Sequence, residues 1–168
     1  MKDSFFRIRT VATWAVACIG VVSVQQACGA DEAEPMSAPL LRGLGAHHHA
    51  VTTNNETAQR YFNQGLILMY GFNHAEAIRS FKAATALDPS CAMAWWGIAY
   101  AEGPNINAPM MPDAYPRAWA ALQQALAQSA AATEGERAMI EALKVRYREE
   151  AVEDRSELDA AFVEAMRD

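Results

Sequence analysis

The sequence predicts an all-α chain in which helix–turn–helix pairs, about three of them, stack as a short solenoid. Three observations carry this expectation. Apolar residues recur at helical spacing from Ala58 onward. Helix formers dominate, Ala is abundant, and β-branched runs are few after residue 24. A second-helix pattern (small or apolar, bulky four later, small three later) occurs at Ala77/Phe81/Ala84, Ala118/Leu122/Ala125 and Leu158/Phe162/Ala165. At 168 residues and 52% apolar content, the chain suits one domain with a filled core.

The first thirty residues read as an export signal. Lys2, Arg7 and Arg9 make a cationic start, Thr10–Val24 is apolar, and Gln25–Ala30 supplies small residues for cleavage. Fifteen apolar residues fall short of the roughly 20 of a membrane span. Three fates stay open: cleavage after Ala30, lipidation of Cys28 in a lipoprotein signal, or a retained anchor. Residues 31–53 read as a linker, an extended arm carrying the His47–His49 triplet, because acid, Pro and Gly alternate there. Cys18 and Cys28 belong to the signal, which leaves Cys91 without an internal partner; a small buried thiol is the expectation there.

The helical domain is placed at 54–168. Thr53-x-x-Glu56 forms a capping box for the first helix, whose stripe is Ala58, Tyr61, Phe62, Gly65, Leu66 and Met69. Gly71–His74 turns the chain, and Asp88-Pro89 stops the second helix. The next pair is expected as Ser90–Glu102 and Ala114–Ala131, the latter capped by Asp113 with Pro116 in its first turn. Gly103–Pro112 is the loop between them. Thr133-x-x-Glu136 caps a helix reaching Glu149 with Met139, Ile140, Leu143 and Tyr147 on one side, and Ser156-x-x-Asp159 caps the last helix, to Arg167. The chain ends on Asp168 without a polar closing helix, which reads as a domain cut short at its C-terminus.

Within residues 58–91, Tyr61, Gly65, Ala77, Phe81, Ala84 and Pro89 fall at positions 4, 8, 20, 24, 27 and 32 of a 34-residue helix-turn-helix unit. Gln64 and Leu68 stand where Leu and Tyr are usual. The unit resembles the tetratricopeptide repeat (TPR) family, and with the Phe72-Asn73-His74 turn it is similar to bacterial exported TPR-containing proteins. The resemblance implies a right-handed α-solenoid acting as a protein–protein interaction scaffold. The second-helix pattern recurs at intervals of 41 and 40 residues. The excess over 34 is met by the insertion Gly103–Pro109 and by the acidic stretch Glu149–Asp154.

Candidate sites are few. His47 and His49 share one face of an extended chain, and with His74 they are candidate ligands for Cu or Zn. The alternative is a polar N-terminal arm, since no Cys-x-x-Cys or His-Glu-x-x-His spacing accompanies them. Asn105 and Asn107 offer amides to a peptide, or else serve their own loop. Trp96 is a candidate partner anchor, while aromatic residues at helical spacing also build cores. No P-loop, nucleophile elbow or dinucleotide-binding glycine pattern occurs, so a non-enzymatic role is expected, with no catalytic residue and no cofactor beyond the possible metal. The net charge is −6, with no basic stripe for nucleic acid. These readings converge on a TPR-type scaffold of the bacterial cell envelope, exported to the periplasm or envelope, binding a protein or peptide. The alternative is an exported metal-binding protein. A membrane enters only through the signal or a lipid on Cys28.

Overall fold

The computed structural model describes residues 38–167, and the expected export signal lies outside them. The described residues hold six α-helices and no strand: α1 (Glu56–Tyr70), α2 (His74–Leu87), α3 (Ala92–Glu102), α4 (Ala114–Gln128), α5 (Glu134–Arg146) and α6 (Ser156–Ala165). A 3-10 turn, Ser129–Ala131, extends α4 where a single helix to Ala131 was expected. The all-α expectation holds. Consecutive helices pack, α1 on α2, α2 on α3, α3 on α4 and α5 on α6, and α1 and α5 both touch α3. None of these helices is long and apolar enough to cross a membrane.

α3 is the centre of the core. Eight of its eleven residues are buried, as a helix apolar on every side must be. The packing node is Phe81, wholly buried on α2. Its ring lies between Gly65 of α1 and Gly97 of α3. A Cβ built on either would meet the ring at 2.5 or 2.6 Å. The two glycines therefore open a slot that lets one side chain tie three helices together. Ala77 is buried in the same cluster, Ala58 and Ala84 are buried in a smaller cluster with Cys91 and Ala94, and Pro89 is exposed at the stop. Burying a ring of this size is worth about 2–3 kcal/mol.

Several helix ends differ from expectation. The cap of α1 is Asn55, whose side chain accepts from the N–H groups of Thr57 and Ala58. Thr53 is not the cap because its hydroxyl donates to Asp88. Asp113 makes no capping bond, because its carboxylate pairs with Arg117 at 2.8 Å. In α6, Asp154 rather than Ser156 is the acceptor, taking the Ser156 N–H at 2.8 Å. The α5 box forms as expected, with Thr133 and Glu136 each accepting from the other's backbone. That helix starts at Glu134 and ends at Arg146, with Tyr147 already extended.

The arm is not a free tether over its described part. The Tyr61 hydroxyl donates to the Ala38 carbonyl at 2.7 Å. Gln64, in the place of the usual Leu, is only 5% exposed and grips the arm with both ends of its amide. It accepts from Leu41 N at 2.8 Å and donates to Pro39 O at 2.9 Å and Ser80 Oγ at 3.0 Å. At the arm's other end, Glu136 takes the Thr52 N–H at 2.7 Å and its hydroxyl at 2.6 Å. Burial pushes the Glu136 carboxyl up, but hydrogen bonds from Thr52 and Thr133 outweigh it and leave the group below its ordinary range. One buried carboxylate thus joins the capping box of α5 to the arm, 84 residues away in sequence.

Candidate functional site

The two unusual stretches of the sequence, the Phe72-Asn73-His74 turn and the Asn-rich insertion, meet at one hollow. It measures about 360 Å³ and is lined by Met69, Tyr70, Phe72, His74, Tyr100, Pro104, Asn105, Ile106, Arg146 and Asp159. Every element but α4 contributes a wall or a neighbour to it.

The α1–α2 turn builds the first wall. α1 closes with Gly71 N donating to Ile67 O and Asn73 N donating to Leu68 O, at 2.9 and 2.8 Å. Such a closure needs a left-handed residue, where glycine is usual. Here Gly71 comes one place too early and Phe72 takes that conformation, at φ 60°. A side chain there costs about 1–2 kcal/mol. The strained turn holds the Phe72 ring 55% exposed, beside Tyr70 at 69%. Strain of this kind tends to collect where binding needs a fixed geometry.

The insertion builds the second wall. Asn105 and Ala108 exchange both backbone bonds, at 3.0 and 3.2 Å, and the Asn105 side chain accepts from Asn107 N at 2.9 Å. The tight turn lifts Ile106 to its tip, 90% exposed. Arg146 braces the loop from α5 by donating to Pro104 O at 3.3 Å. Gly103 is required at the base, because a Cβ there would land on the Tyr147 hydroxyl.

The floor carries charge. The Arg146 guanidinium lies 4.5 Å over the Phe162 ring and 5.7 Å over that of Tyr100. It shares one oxygen of Asp159 with Arg155, at the long distances of 3.4 and 3.5 Å. Two guanidiniums thus lean on a single carboxylate. Tyr147 is buried beneath them with no hydrogen-bond partner for its hydroxyl among the described residues, and burial pushes its phenol well up. The group is neutral at any physiological pH.

The expected site residues fare differently. His74 and Asn105 reach this hollow, whereas Asn107 sits outside it on the loop. Trp96 is corrected: it is 4% exposed, stacks on Tyr100 at 5.1 Å and donates to Met139 O at 3.2 Å. It is a core residue. Its neighbour Trp95 is the partly exposed one, donating to Pro89 O. Of the histidines, His47 lines another hollow with Arg60 and Asn63, and His49 packs 6.2 Å from Phe62. The structure does not gather His47 with His74, and among the described residues no three His, Cys, Asp or Glu side chains are placed to share a metal ion. Cys91 is buried with no disulfide partner among the described residues, and that burial raises its thiol pKa. Tyr70, Phe72, Ile106 and Arg146 went unmarked as site residues. The one available signal was the chain's departure from a plain turn: Phe after Gly, and Ile between two Asn. Compared with protein-family models, with curated proteins and with solved structures, the chain matches none, so the functional reading rests on the geometry itself.

Proposed function

We propose that this chain is an exported binding module of the cell envelope, a short right-handed TPR-type solenoid that receives a peptide segment of a partner protein in the hollow. The observation that carries the reading is the gathering of Tyr70, Phe72 and Ile106, three well-exposed large apolar side chains, around a concavity with a guanidinium in its floor. Apolar side chains grouped around a recess mark interaction sites, whereas scattered ones do not. Recessed anchors with one oriented polar group are also what peptide hot spots use. The segment that fits places an apolar or aromatic side chain between the two walls and a hydrogen-bond acceptor toward Arg146.

Selecting a displayed peptide library on the wild-type protein, with counter-selection on Phe72→Ser/Ile106→Asp, tests this. The expected result is an enriched apolar-plus-acidic motif bound at least tenfold more weakly by the double variant. Enrichment of peptides that bind both proteins equally contradicts the reading.

A further inference from the structure

Between its two anchored ends the arm is held in another way. The His49 N–H donates to Asn63 Oδ1 at 3.2 Å, and the His49 carbonyl accepts from Gln59 Nε2 at 2.8 Å. The Val51 N–H donates to Gln59 Oε1 at 3.0 Å. All three bonds use arm backbone; beside them Asn63 Nδ2 lies 3.0 Å from His48 Nδ1, and Val51 packs on the core. Gln59 and Asn63 stand four apart on one face of α1 and lock each other, Gln59 Nε2 donating to Asn63 Oδ1 at 3.0 Å. The pair is therefore preset to grip an extended chain.

The grip on the present occupant is loose. Residues 45–50 are exposed, as are both bonds at His49 while the Val51 bond is part-buried, and a hydrogen bond contributes only about 0.5–1.5 kcal/mol. A cavity of about 190 Å³ lies along this seam, lined by Leu41, Leu44 and His47 of the arm and by Arg60, Asn63 and Ile67 of α1. Gly43 and Gly45 have left-handed φ of 83° and 87° with open space around them, which gives the arm a bend from which to lift. The anchors at Gln64 and Glu136 lie on either side of this stretch and need not break.

We propose that the Gln59–Asn63 edge of α1 is a second binding strip, specific for the backbone of an extended peptide, and that residues 47–51 are its resident, displaceable occupant. The incoming segment is extended and carries an aliphatic side chain to fill the cavity over Ile67. It also carries a carboxylate for Arg60, which has no acidic partner among the described residues. Main-chain bonds supply the affinity and the cavity the selectivity, as in other modes of extended-peptide capture. Tethering gives the arm a high effective concentration, so the strip is closed until a better-fitting segment competes. This strip is separate from the hollow and stands without it.

The test uses the full chain and, as probe, a labelled synthetic copy of residues 38–53 carrying His47→Leu and His48→Glu. His49→Pro/Val51→Pro removes two arm donors and leaves the helix untouched. The double variant is expected to bind the probe at least tenfold more tightly than the wild-type chain, and adding Gln59→Ala/Asn63→Ala abolishes that gain. Phe72→Ser leaves it unchanged, which separates failure here from failure at the hollow. Equal binding by wild type and His49→Pro/Val51→Pro, or no binding by either, overturns the proposal. Amide exchange in the wild-type chain gives a second reading independent of any variant. The His49 and Val51 amides should exchange at least tenfold faster than Leu66 in α1, and exchange at a common rate overturns the proposal.

Discussion

Phe81 sits in a slot walled by two glycines, whereas α6 buries no side chain and leans on α5 through two arginines and an aspartate. These are an early and a late part of one all-helical domain, and they are held by different forces. In the first region a single ring shares its contact area with three helices, so its loss is felt in all of them. In the last, guanidiniums cover the rings of Phe162, Tyr100 and Tyr115, and the shared carboxylate is half exposed. Pairs of that kind give about 0–1 kcal/mol, and the cation–π contacts add about 0.5–1 kcal/mol each. The lesson is that side-chain burial falls from α2 to α6, and the hollow draws its lining from both regions. One wall, the strained α1–α2 turn, grows out of the firm region, while the floor residues Arg146 and Asp159 belong to the soft one.

The largest expected effect is Phe81→Ala, which empties the slot and costs about 3–5 kcal/mol. Urea denaturation followed by circular dichroism checks it, and a loss under 1 kcal/mol would mean that the glycine walls collapse onto the gap. Glu136→Ala comes next at about 1–3 kcal/mol, because it leaves the partly buried donors of Thr52 and Thr133 without their acceptor. Its pH dependence has a fixed sign. The folded carboxyl titrates below its ordinary value, so its contribution is complete above the unfolded pKa and is lost as pH falls through the folded one. Midpoints measured from pH 6 to 3 should therefore fall less steeply for Glu136→Gln than for wild type.

Gly97→Ala pushes a methyl into the Phe81 ring and is expected to cost about 1–3 kcal/mol. An unchanged thermal midpoint would show that the slot is roomier than its geometry. At the other end, Arg155→Ala should cost about 1 kcal/mol or less while raising amide exchange in α6 well above that in α3. The smallest effect has the opposite sign. Phe72→Gly relieves the left-handed turn and should stabilise the fold by about 1 kcal/mol or less, yet weaken peptide binding at the hollow. Gain of stability with undiminished binding would remove Phe72 from the site.

Much of the helical plan was legible because burial repeats at helical period. Phe62, Phe81, Leu122, Ile140 and Leu143 all proved buried, and the Thr133–Glu136 box formed where its spacing placed it. The first cap was misread because Thr52, Thr53, Asn54 and Asn55 are all competent caps, and a contact with Asp88, 35 residues away, decided among them. Trp95 and Trp96 could not be told apart, since α3 is apolar on every side and offers no polar face to orient it. The arm's docking left no local pattern, for amide side chains gripping a distant backbone follow no period. The hollow was half legible: its two stretches stood out in the sequence, but their meeting, and Arg146 beneath them, depend on helix packing that no local spacing encodes.

The most direct test of the binding account is a methyl-labelled NMR titration of the full chain with the selected peptide. Saturable shifts at the Ile106 and Met69 methyls, with the Phe72 ring moving alongside and Leu44 and Val163 silent, are the predicted result. Shifts that leave Ile106 and Met69 untouched and gather instead on the arm or on the outer face of α6 would contradict it.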